Sequence, residues 1–118
     1  MEYSNFRPSD DCPLDVASVR ASLEKINELM STGTQSSWLW RPNEVKSGKI
    51  AHYRDIIKKN GSIPRSAFRV DSSGELSIMS GRHRCYALLE AGYKIIEICT
   101  LPEMEDRLSK LVGIAAGP

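Results

Sequence analysis

A glycine followed by three consecutive donor side chains, Gly81-Arg82-His83-Arg84, is the group of residues best suited to chemistry in this chain. Two guanidinium groups and an imidazole within one helical turn match an anion, above all a phosphate. If a helix opens here, its first N–H groups lack intrahelical partners and carry about half a positive charge, which adds to the attraction. Gly81 has no Cβ, so the backbone can be approached closely. The plain alternative is a solvated helix start with two surface arginines. The surrounding strand–turn–helix pattern favours the phosphate.

That pattern runs from Glu75 to Cys99. Leu76 and Ile78 fall on one face and Glu75 and Ser77 on the other, the period of a half-buried strand. Ser80-Gly81 breaks the period and serves as turn and helix cap. Cys85, Leu88 and Leu89 then share a helical stripe, with Gly92 placed to end it. Ile95, Ile96, Ile98 and Cys99 form a run expected of a strand buried on both faces. A strand, a helix and a parallel strand predict a right-handed βαβ unit, with the basic turn at the carboxyl end of its first strand, where open α/β sheets place ligands.

Along the rest of the chain, Met1 to Asp11 has no periodicity and reads as an arm or an extended lead-in. Pro13 is placed to open a helix, and Val16, Val19, Leu23, Ile26 and Met30 recur at spacings of three and four. An amphipathic helix to Met30 follows, its stripe serving either the core or a homodimer seam. Ser36 to Trp40 reads as a strand stopped by Pro42, with Trp38 and Trp40 as packing residues. A second helix is expected from Ser47 to Lys59 with Ile50, Tyr53 and Ile57 on one stripe, and Asn60-Gly61 ends it. Asp71-Ser72-Ser73-Gly74 is a turn by composition, so strands 67–70 and 75–79 should form an antiparallel hairpin. Pro102 opens a last helix with Met104, Leu108 and Leu111 inward, and Gly113 to Pro118 is expected to fray. The expected class is α+β, a small mixed sheet with a hairpin and a βαβ unit flanked by helices. Residues 1–36 form an arm and a helix packed on a domain at 37–118.

With 118 residues, 41% hydrophobic and 26% charged, the chain has the balance of an ordinary soluble globular domain. No apolar run approaches the roughly 20 residues of a membrane span, and Met1 to Pro8 lacks a signal-peptide core, so a cytoplasmic protein without a membrane partner is expected. Cys12, Cys85 and Cys99 are odd in number and lack CxxC spacing, which predicts reduced thiols and no metal site. Charge is uneven: from Arg41 to Arg84 ten Lys/Arg stand against four Asp/Glu, a net +6, and the remainder carries −5. A basic face for an anionic partner follows, with ordinary solubility as the plainer explanation.

Arg41-Pro42 after a hydrophobic strand, Asn60-Gly61, Ile63-Pro64 before a strand, and Ser-Gly-Arg-His-Arg opening a helix that contains Ala87 and ends near Gly92 together resemble the ParB/sulfiredoxin-like superfamily, which includes ParB-like nuclease domains. The resemblance covers about Trp38 to Thr100. It implies that His83 and Arg84 hold nucleotide phosphates, that Lys49 contacts phosphate, and that His52 occupies a polar nucleotide-contact position. Arg82 stands where a sulfiredoxin has its nucleophilic cysteine, so the chain is not expected to repair sulfinic acids. Cys85, on the Leu88/Leu89 stripe, is expected to be a packing residue. The resemblance further implies an isolated module of the kind common on plasmids, phages and other mobile elements, without the helix-turn-helix reader of partitioning proteins.

Two functions from different classes follow. One is a domain binding a nucleotide, ATP or CTP, which either stops at binding or proceeds to hydrolysis or phosphoryl transfer. Lys49, Gly81, Arg82, His83 and Arg84 would then hold the phosphates, and Glu44, with Asp55 in reserve, would act as base or Mg²⁺ ligand. There is no Walker-type lysine loop and no Asp/Glu pair at metal-binding spacing. The other is a DNA-binding or nuclease module using the same basic face on a nucleic-acid backbone. A protein-interaction module with a vestigial anion site is the third reading.

Overall fold

The computed structural model describes residues 1–9, 16–32 and 47–114. Cys12, Pro13, the strand expected at 36–40, Arg41-Pro42 and Glu44 lie outside the described residues, as does the end of the chain from 115 to 118. The described part is an α+β fold: a mixed sheet carrying four helices, with a Cα radius of gyration of 13.2 Å.

In chain order the elements are β1 (Phe6–Arg7), β2 (Ala17–Ser22), α1 (Leu23–Thr32), α2 (Ser47–Lys58), β3 (Ile63–Pro64), β4 (Ser66–Val70), β5 (Leu76–Ser80), α3 (Arg82–Glu90), β6 (Ile95–Thr100) and, after a 3₁₀ turn at Pro102–Met104, α4 (Glu105–Val112). The main sheet has the order β2-β6-β4-β5, and β1 pairs with β3 in a separate parallel ribbon. The β4–β5 hairpin forms as expected. Asp71 closes its turn by accepting hydrogen bonds from the backbone N–H groups of Ser73 and Glu75, and Gly74 takes the positive φ that the turn needs.

The βαβ expectation is corrected. β6 is parallel to β4 and β4 is antiparallel to β5, so β5 and β6, which flank α3, run in opposite directions and are not neighbours. The hairpin commits β5 to the outer edge of β4. Helix α3 then returns the chain to the other side of β4, and the parallel pair is β4 and β6, with 71–94 as the crossover that parallel strands require.

The long first helix is also corrected. Residues 17–22 form an edge strand that pairs antiparallel with β6 along its whole length, from Ala17 opposite Thr100 to Ser22 opposite Ile95. The helix begins only at Leu23, while Val16, placed on the apolar stripe from sequence, is 62% exposed. The same residues also alternate, with Val19 and Ala21 buried between exposed Ser18 and Arg20. An apolar strand with an open edge, β6, settles the ambiguity in favour of pairing.

Leu23, Ile26 and Met30 are buried in the chain's own core together with Val19, Phe68, Ile96, Ile98, Leu108 and Val112. Truncating Leu23 to alanine at such a site costs about 2–5 kcal/mol. The stripe expected to serve either the core or a homodimer seam is therefore used within one chain. Met1 to Ser9 is an extended lead-in packed on the core: Tyr3 is buried, its hydroxyl donates to the Gly61 carbonyl, and its ring meets Phe6 and Tyr93 edge to face. Residues on both sides of the 36/37 division thus share one core.

Candidate functional site

Helices α2 and α3 pack side by side. Gly48, Lys49 and His52 from the start of α2 and Gly81, His83 and Arg84 from the start of α3 line one cavity of about 400 Å³, together with Tyr53 and Ser80. Ile57 and Lys58 from the end of α2 and Glu90 and Ala91 from the end of α3 line another, of about 370 Å³. The helices therefore run in the same direction, and both amino termini face the first cavity. Two positive dipole ends add there.

The structure brings together five residues singled out from sequence: Lys49, His52, Gly81, His83 and Arg84. Arg82 lines an adjoining hollow of about 310 Å³ with Ile78 and Met79, sharing Lys49, Gly81 and His83 with the first cavity. Lys49 and His52 are exposed, and His83 and Arg84 are buried, at 9% and 6% exposure. Glu44 is among the residues not described, and Asp55 pairs with Lys59 at 3.1 Å rather than lining the cavity.

Gly81 caps α3 with φ +88°, a region that glycine enters without strain. The room it provides is occupied by the chain itself. A Cβ there would lie 2.6 Å from Arg84 Cζ and 2.7 Å from Ser66 Oγ. The missing Cβ admits the guanidinium folded back over the turn. Arg84 Nη2 donates to the Arg65 carbonyl at 2.7 Å, and Ser66 Oγ donates to the Gly81 carbonyl at 2.9 Å.

Arg84 makes no ion pair among the described residues, and its Nε is buried without a hydrogen-bond partner. Buried charges in proteins are ordinarily paired, because an uncompensated one is costly. The cavity wall thus carries a desolvated positive group that an anion would satisfy.

Cys85 lies fully buried one residue further on, and burial pushes its thiol up to about 12. It is a packing residue, as its place on the helical stripe implied. Among the described residues no group of three or more His, Cys, Asp or Glu converges as a metal site would, and no helix is long and apolar enough to cross a membrane.

Sequence reasoning missed Ser66, Arg65 and Tyr53 as parts of this neighbourhood. Tyr53 packs against the core as the α2 stripe implies and lines the cavity as well, and nothing in the local sequence ties Ser66 to a turn 15 residues away. Comparison with protein-family models, with curated proteins and with solved structures finds no match to this chain.

Proposed function

We propose that this chain binds a phosphate-bearing ligand, a nucleotide in the first instance, in the cavity between the amino termini of α2 and α3. The observation that carries the proposal is Arg84: a buried guanidinium without an acidic partner among the described residues, in the wall of a cavity at two helix amino termini. Lys49 supplies an exposed cation at the rim and His83 a further donor group. The volume of about 400 Å³ suits a small molecule, at the lower end of the usual range for ligand pockets.

The resemblance of Arg41-Pro42 and Ser-Gly-Arg-His-Arg to the ParB/sulfiredoxin-like superfamily supports the same reading, with ATP or CTP as the nucleotide and Mg²⁺ as its counter-ion. A bound nucleotide would supply the negative charge that the wall lacks. Its phosphates would be oriented by the α3 amides and the neighbouring cations, with charge stabilisation as the contribution to any phosphoryl transfer.

The test is thermal stabilisation by ATP, CTP, GTP, pyrophosphate, sulfate and short DNA at two salt concentrations. A ligand at 100 times its dissociation constant should add about 2.7 kcal/mol. The expected outcome is stabilisation by a triphosphate or pyrophosphate with a shallow salt dependence. DNA binding with a log–log salt slope of roughly −0.9 per phosphate contact, and no response to nucleotides, would replace this proposal with a nucleic-acid surface.

A further inference from the structure

Two consecutive residues at the start of β4 grip the turn that opens α3. Ser66 is buried, at 3% exposure, and its hydroxyl donates to the Gly81 carbonyl at 2.9 Å. The same carbonyl accepts the Cys85 N–H at 3.0 Å, the first helical bond of α3, so it is held from two directions. Next to it, the Arg65 carbonyl holds Arg84 Nη2 at 2.7 Å. Ser66 is itself fixed by the sheet: it stands opposite Ile98 of the central strand β6, and its carbonyl accepts the Cys99 thiol at 3.5 Å.

We propose that Ser66 is a positioning residue for the anion cavity, aiming the first amides of α3 by fixing the Gly81 carbonyl; this rests on the phosphate reading above. The reason is peptide planarity. The Gly81 C=O and the Arg82 N–H belong to one rigid plane and point in opposite directions, so a carbonyl pinned toward β4 directs the Arg82 amide away from it, toward the amino-terminal end. Gly81 is the residue about which that plane would otherwise turn, because at φ +88° it has no Cβ to restrict it. Ser66 never needs to touch the ligand. It makes the amide direction a property of the free protein, which lowers the ordering cost of binding.

The experiment is a titration with inorganic pyrophosphate followed by backbone NMR, comparing the unaltered chain with Ser66→Ala and Ser66→Thr. In Ser66→Ala the Gly81 carbonyl and Arg82 amide resonances should move before any ligand is added. Affinity should fall about three- to tenfold, the worth of one hydrogen bond. Ser66→Thr, which keeps the hydroxyl, should restore both. If threonine proves too large to fold at this buried position, the alanine comparison decides alone. Unchanged affinity in Ser66→Ala, or weaker affinity with an unmoved Gly81 carbonyl resonance, overturns the positioning role while leaving the anion site intact. Absence of pyrophosphate binding by the unaltered chain removes both.

Discussion

The two ends of the α2–α3 pair handle charge in opposite ways. At the carboxyl end, Arg54 Nε and Nη2 donate to both oxygens of Glu90 at 2.8 and 2.9 Å, and Lys58 sits in the last turn of α2, where a cation complements the helix dipole. The Arg54–Glu90 pair is thus answered within the chain. At the amino end, neither helix has an acidic residue in its first turn, and Lys49, Arg82, His83 and Arg84 are all placed against the dipole. Helix α4 follows the stabilising pattern instead, with Glu105 and Asp106 in its first turn and Lys110 in its last. The same chain therefore builds a helix with charges that complement its dipole at α4. At the cavity the first turns of both helices carry cations and no acid, which fits a site whose missing charge comes from outside.

The glycines at the two ends should separate most sharply. Gly81→Val meets both a positive φ and the Arg84 guanidinium, so it should lower stability by about 3 kcal/mol or more and abolish phosphate binding. Gly92→Ala, at the carboxyl end with φ +89° and nothing within 4 Å of its new Cβ, should cost only about 1 kcal/mol and leave binding alone. Chemical denaturation with and without pyrophosphate reads both effects. Equal losses would mean that the crowding over Gly81 has no consequence.

Next in size is Arg84→Met. Removing an unpaired buried charge should cost no more than about 1 kcal/mol in the ligand-free protein, while ligand-induced stabilisation falls by about 1.5–3 kcal/mol. A large loss of ligand-free stability with unchanged binding would make Arg84 a structural strut only. A smaller contrast is expected between Lys49→Ala, which should weaken pyrophosphate a few-fold, and Lys58→Ala, which should not. If both weaken it equally, the anion is held by diffuse charge.

The smallest effect belongs to Glu90→Gln at the carboxyl end, where stability should barely change and binding not at all. The hydrogen bonds from Arg54 hold the Glu90 carboxyl below its ordinary value of 4.5. The pair's contribution is therefore complete above that value and is lost as the pH falls through the lower, folded one. Acid titration of stability should show this modest loss in the unaltered chain and not in Glu90→Gln.

Much of the site was legible because it is local. Gly81-Arg82-His83-Arg84 states a turn, a helix start and its charge within four residues, and Asp71 to Gly74 states the hairpin in the same way. The region from Ala17 to Ser22 was not legible in that manner. Val16, Val19 and Leu23 fit a helical stripe, while Ala17, Val19, Ala21 and Leu23 fit a strand, and six residues cannot separate the two periods. The unpaired edge of β6, some 80 residues away, decided it.

By itself the sequence determined that an amphipathic α+β chain would present a basic helix start after a hairpin, because periodicity, turn chemistry and capping act over a few residues. Only the tertiary structure decided that β5 and β6 run in opposite directions and that α2 lies parallel to α3 so that both amino termini meet. It also decided that Gly81 makes room for Arg84 and that, among the described residues, no acidic side chain pairs with that guanidinium. Each of these depends on which backbone edges and apolar faces remain open once the local elements have formed, and that competition is settled between residues far apart in the chain.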